Sequence, residues 1–231
     1  VVSAGTLATS GGAAIPDASP IAVAADAVFQ VAGNETVRSL SGGGSVILAQ
    51  GVLTVGANDA SSTFSGTISG SGGLAKIGSG TLTLSGVNTF TGGTTASGGT
   101  LSVNTLSDVP GQVSALGTSG TITVSSATFQ YTGSATASTS RYNGGGSGGG
   151  IAGTTVIDVS QAAGSLTLVG GYNNYNQNLS KTGLGTLALS GVNVYGWGSV
   201  GVHGGTLVLA AKETNSALYT TISDISAVDV G

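Results

Sequence analysis

The stretch Leu74-Ala-Lys-Ile-Gly-Ser-Gly-Thr-Leu-Thr-Leu-Ser-Gly-Val-Asn-Thr-Phe-Thr-Gly-Gly93 returns as Leu179-Ser-Lys-Thr-Gly-Leu-Gly-Thr-Leu-Ala-Leu-Ser-Gly-Val-Asn-Val-Tyr-Gly-Trp-Gly198. The offset is 179 − 74 = 105, and 12 of the 20 positions are identical. Both copies run on to one phrase, Gly98-Gly99-Thr100-Leu101 and Gly204-Gly205-Thr206-Leu207, with one residue inserted in the second. The chain also opens on a partial copy of it, Gly5-Thr6-Leu7. Self-similarity at a fixed period marks a repeat architecture. A period of 105 exceeds the roughly 20–45 residues of one solenoid unit, so each period holds several coils.

Inside the period the pattern is that of short strands. Thr81-Leu82-Thr83-Leu84, Thr100-Leu101-Ser102-Val103, Val156-Ile157-Asp158-Val159, Leu166-Thr167-Leu168-Val169 and Leu187-Ala188-Leu189 alternate apolar with small polar residues, between Gly, Asn and Ser. Alternation of period two sends the apolar residues to one face of a strand, and Gly and Asn turn the chain between strands. Helical spacing of apolar residues is nearly absent. Strand pairs recur about every 20 residues, so the expected fold is all-β, a parallel β-helix of roughly ten coils. Coils stacked at about 4.8 Å would give a rod near 50 Å long. Residues 1–231 read as one continuous β-helix segment of a longer array, with super-repeats at about 1–103 and 104–209 and the start of another at 210–231.

Composition narrows the function. The 231 residues include 43 Gly, against roughly 16 at an average usage of about 7%. Only 6% are charged and the net charge is −4. Disordered chains are usually charged and poor in β-branched residues, unlike this one. Without a Lys/Arg cluster there is no electrostatic grip on nucleic acid. No apolar run reaches the roughly 18 residues of a membrane helix. Cysteine is absent, which removes disulfides and thiolate metal sites. The stretch from Val1 shows no charged n-region followed by an apolar h-region, so no signal peptide is expected within these residues. Neither Val1-Val2-Ser3-Ala4 nor Ala227-Val228-Asp229-Val230-Gly231 resembles a polar cap, so the expectation is an excerpt of a longer array or an end that joins other copies.

Catalytic chemistry finds little support. The single His203, at the one-residue insertion, has no carboxylate neighbour in sequence and reads as a turn residue. Polysaccharide-cleaving β-helices need paired carboxylates or acid–base clusters on stacked coils. Here no two acids lie within four residues, although stacking could still bring groups such as Asp158 and Arg141 together across coils. Gly144–Gly150 lacks the Gly-Lys-Ser/Thr of a phosphate loop and reads as an excursion from the coil. The chain is read as not an enzyme, with no cofactor and no metal. Asn34-Glu-Thr36 and Asn178-Leu-Ser180 match the N-glycan acceptor pattern.

Two sets of residues stand out. Asn88 and Asn193, in Gly-Val-Asn, and the aromatics Phe90 and Tyr195 occupy equivalent places in the two copies. Asn tolerates the conformations of tight corners and bonds to turn backbones, so corner positions are preferred over ligand-binding amides or a sugar platform. Tyr172, Asn174, Tyr175 and Asn176, with Trp197, form the only concentrated aromatic and amide stretch. Tyr and Trp favour interfaces, so this is the candidate contact surface, the alternative being a loop that covers one face.

Residues 74–103 and 179–209 resemble the passenger-associated transport repeat of bacterial autotransporters, also called the autotransporter-associated β-strand repeat. Its pattern is Leu-x-Lys-x-Gly-x-Gly-Thr-Leu-x-Leu-Ser-Gly-x-Asn-x-aromatic followed by a Gly-Thr-Leu strand. Trp197 and Gly196 are mild departures. The resemblance implies a right-handed parallel β-helix at the bacterial cell surface, tied to the outer membrane through regions outside this chain, and no catalytic residues. The expected function is then a rigid stalk or fibre segment of an adhesin or filament. Its partners would be copies of itself or adjoining repeats end to end, and then carbohydrate or a host or neighbouring cell surface.

Overall fold

The structure, a computed structural model, describes residues 1–109, 112–144, 153–169, 172–190, 194–209, 221–222 and 228–229. For residues 144, 172–177, 194–199, 221–222 and 228–229 it describes the backbone alone. The chain forms two compact units, Val1–Thr121 and Ile122–Gly231.

In the first unit the strands fall on three faces, and every pair is parallel. One face carries Gly5–Ser10, Ala27–Ala32, Ser45–Gln50 and Thr67–Gly70. The next carries Glu35–Val37, Val52–Val55, Gly73–Lys76 and Thr94–Ala96. The last carries Pro20–Val23, Ser39–Gly42, Ser62–Phe64, Thr81–Leu84 and Thr100–Val103. The chain visits the faces in turn, and each visit pairs with the one before. This is a β-solenoid, as the alternating runs predict.

The alternation does the folding. In Thr81–Leu84 the two leucines are buried and the two threonines lie half-buried on the outer side. The register stacks like on like: Phe64, Leu84 and Val103 form one inward column, and Phe29, Val46 and Ile68 another. All six are fully buried. Burial of such a side chain contributes about 1.5–3 kcal/mol. Where a coil lacks a strand, side chains and loops take over its backbone partners. Glu35 is buried, and its carboxylate oxygens accept the Ala14 and Ile15 N–H groups at 3.0 and 3.1 Å. Residues 87–91 form no strand, yet the Thr89 and Thr91 N–H groups donate to the Ile68 and Gly70 carbonyls at 2.8 and 2.9 Å.

The second unit repeats the plan. Thr136–Thr139, Ser165–Leu168, Thr186–Leu189, Thr206–Leu209 and Val228–Asp229 form one parallel sheet. Thr128–Tyr131, Thr154–Val159, Tyr172–Thr182, Val194–Val202 and Thr221–Ile222 pair in succession on another. Ile122–Val124 pairs with Tyr142–Gly144. Among the described residues helix is confined to the 3-10 turn Ala57–Asp59.

The two units together hold about eight turns, close to the ten expected. Some turns are longer than 20 residues: Thr128 pairs with Val156, a step of 156 − 128 = 28. A longer step uses more chain for each coil, so fewer coils fit in 231 residues. No helix among the described residues is long and apolar enough to cross a membrane.

Candidate functional site

The repeat positions are best built outward from Lys76 and Lys181, which reading the sequence did not single out. Each lysine lies on the inward side of its strand, in a column of apolar side chains. Val55 precedes Lys76 and Ala96 comes after it; Ile157 precedes Lys181 and Val202 comes after it. Lys76 is 1% exposed and Lys181 0%. A buried ammonium needs partners for its three protons. Lys76 Nζ donates to the carbonyls of Ile77, Gly78 and Gly98 at 2.7, 2.8 and 3.2 Å. Lys181 Nζ donates to those of Thr182, Gly183 and Gly204 at 2.5, 3.0 and 3.0 Å. In both copies two acceptors belong to the lysine's own turn and the third to the next coil.

Glycine makes this cage possible. Gly78 and Gly183 turn away from the lysine with φ of +71° and +75°, and Gly99 and Gly205 shape the facing corner with +58° and +66°. Such conformations suit glycine and strain other residues. An acid stands near each cage. Asp59 Oδ1 accepts the Ser79 N–H at 2.7 Å, and that bond holds its carboxyl below the usual range. Asp158 accepts the Thr182 hydroxyl at 2.8 Å, and also bonds Gln130 and Ser160. Burial pushes both lysines below the ordinary ammonium range, and Asp59 and Asp158 oppose that shift for Lys76 and Lys181 respectively.

Asn88 is buried and spans three successive coils. Its Oδ1 accepts the Ile68 N–H at 2.7 Å, its Nδ2 donates to the Ala115 carbonyl at 2.6 Å, and its own N–H donates to the Ser114 carbonyl at 2.9 Å. Phe90, two residues on, is fully buried. Neither presents a surface to a ligand. Asn193 lies outside the described residues, and Tyr195 is described only as backbone in Val194–Val202, where it pairs with Asn173.

The candidate contact residues Tyr172, Asn174, Tyr175 and Asn176 fall in the strand Tyr172–Thr182, and Trp197 lies in Val194–Val202 opposite Gln177. This stretch is therefore a strand where the sequence left open a covering loop; the side chains themselves lie outside what is described. The pairing shifts register between Gln177↔Trp197 and Leu179↔Val200. The inserted residue of the second copy is taken up there, ahead of His203. His203 itself is exposed, and its N–H donates to the Lys181 carbonyl at 2.8 Å, as the Ser97 N–H does to that of Lys76 at 3.0 Å.

Asp158 engages Gln130, Ser160 and Thr182. Among the described residues no group of three or more His, Cys, Asp or Glu gathers where a metal could sit. Asn34, an acceptor-pattern residue, is exposed, but its Oδ1 accepts the Val52 N–H at 3.0 Å. The Gly144–Gly150 stretch lies outside the described residues except for the backbone of Gly144.

Comparison with known proteins agrees with this architecture. The family model of the passenger-associated-transport-repeat matches residues 74–103 and 179–209, the two segments that carry the lysine cages. Over 155 residues, 62% of the chain, it is 36% identical to a protein of Brucella suis biovar 1 (strain 1330) named adhesin BmaC autotransporter. The match spans 4% of that relative's length. No solved structure matches the chain.

Proposed function

We propose that this stretch of autotransporter passenger, with its two passenger-associated transport repeats, is a structural segment of a bacterial surface adhesin: a β-helical stalk or fibre element, not an enzyme. The observation that carries the reading is where the repeated residues go. Lys76, Lys181, Asn88 and Phe90 are all buried, and the polar atoms of the first three bond to the backbones of adjoining coils. What the repeat preserves is the coil and its stacking on the next coil. A catalytic repeat would instead hold reactive groups toward solvent or a groove.

Super-repeats at about 1–103 and 104–209 would be units of a longer array, joined to adjoining repeats or to other copies. The segment would be extracellular, displayed at the cell surface. A second reading, a carbohydrate- or cell-binding module that uses Tyr172–Asn178 and Trp197, draws on the relative's name as an adhesin and on the two aromatic strands pairing side by side.

Immunogold electron microscopy of cells that make the parent chain tests the proposal. Antibody against this segment is expected to decorate projections on intact cells, and deletion of residues 74–209 to shorten them. Label on isolated particles, each no longer than this segment, would overturn the stalk. Loss of attachment in a Tyr175→Ala/Trp197→Ala variant with projections of normal length would favour the binding module.

A further inference from the structure

Apart from Lys76 and Lys181 and a few polar residues such as Thr94 opposite Leu74, Thr155 opposite Leu179 and Glu35 opposite Leu53, the inward columns of this solenoid are built from Val, Leu, Ile, Ala and Phe, which are nearly interchangeable from coil to coil. Side chains alternate with period two. A strand that slips by two residues against its neighbour therefore keeps apolar groups inside, and hydrophobic burial alone separates the two pairings poorly. Something else must choose between them.

We infer that Lys76 and Lys181 are register locks, each of which fixes how its own coil seats against the next coil. Of the three acceptors of each ammonium, two move with the lysine and one, Gly98 or Gly204, belongs to the next coil. The right register gives the third proton a carbonyl at 3.2 or 3.0 Å. A slipped register leaves that proton buried with no acceptor. A single polar group in an apolar seam is an established means of choosing one register among several of similar burial.

The second copy supports this directly. It has one residue more between lysine and acceptor, a separation of 23 against 22. The extra residue is absorbed by a shift in pairing before Val200, and beyond it Lys181 faces Val202 as Lys76 faces Ala96. The strand distorts elsewhere and the lysine contact is restored.

The test uses the full 231-residue chain and its Lys76→Met/Lys181→Met double variant, refolded from denaturant and followed by amide hydrogen exchange with mass spectrometry. The parent is expected to return to one protection pattern over 94–103 and 200–209. The variant is expected to return to mixed patterns there, with the correctly protected fraction lowered at least about two-fold. A variant that regains the parent's single pattern in the parent's yield overturns the proposal. So does one that exchanges faster everywhere while remaining uniform, since lysine would then supply only general stability. If the variant does not fold, pulsed amine acetylation of the refolding parent decides. Protection of the Lys76 amine in the same kinetic phase as the amides of 100–103 supports the lock. Protection about tenfold later or more overturns it.

Discussion

A polar side chain inside a solenoid can bond to the backbone of adjoining coils, and Asn88 is the clearest case. Replacement by Ala strips the acceptor from Ile68 N–H and the donor from the Ala115 carbonyl, both beside a buried side chain. Each buried group left unpaired costs about 1–3 kcal/mol, so Asn88→Ala is expected to lose about 3 kcal/mol, read as a lower denaturant midpoint at unchanged slope. Lys76→Met likewise strips the ammonium from the Ile77, Gly78 and Gly98 carbonyls and leaves them without that donor. The folded variant is therefore expected to melt below the parent at neutral pH. The pH dependence has a definite sign. Burial holds the folded pKa of Lys76 below its unfolded value of about 10.4. Between those values the unfolded chain binds more protons, so the parent's stability rises with pH through that window. The variant lacks this gain, and thermal melts from pH 8 to about 11 should show its deficit widening. A deficit that narrows would contradict the assignment.

At the scale of the turn, close approach of backbone to backbone decides which glycines are required. A Cβ on Gly44 would lie 2.1 Å from the Ala24 carbonyl oxygen, and on Gly66 and Gly86 1.9 and 1.8 Å from those of Gly44 and Gly66. The neighbouring Gly43 has only the Ser65 hydroxyl, at 3.6 Å. Gly44→Ala should therefore lose about 2–3 kcal/mol or fail to fold, while Gly43→Ala stays within about 0.5 kcal/mol, compared by urea denaturation. The strands themselves were legible: Leu82, Leu84, Leu187 and Leu189 alternate with small polar residues and are buried as the pattern requires. The repeat of Gly-Val-Asn was legible too. The lysines were not, because a charged residue in a strand ordinarily reads as a solvated face. The available signal was that two of only five basic residues recur at one offset. Residues 87–91 were equally opaque, since their ladder runs through an irregular backbone without alternating side chains.

At the scale of the molecule, successive coils within each unit stack in parallel, and their described strands pair residue on residue apart from local register shifts. Register contacts, cages and glycine corners all depend on that stacking, and so does the use of such a chain as a surface element. The absence of cysteine gives a background-free assay for it. Partners in adjacent parallel strands lie about 4.8 Å apart, within the Cα separation that a disulfide spans. The decisive measurement is oxidative cross-linking of cysteine pairs introduced into the 231-residue chain. Thr54→Cys/Ala75→Cys and Thr167→Cys/Ala188→Cys, paired across neighbouring coils, are predicted to form intramolecular disulfides. Thr36→Cys/Ala75→Cys, two coils apart at about 9.6 Å, is predicted not to. Cross-linking of that third pair with failure of the first two would contradict the stacked β-helix.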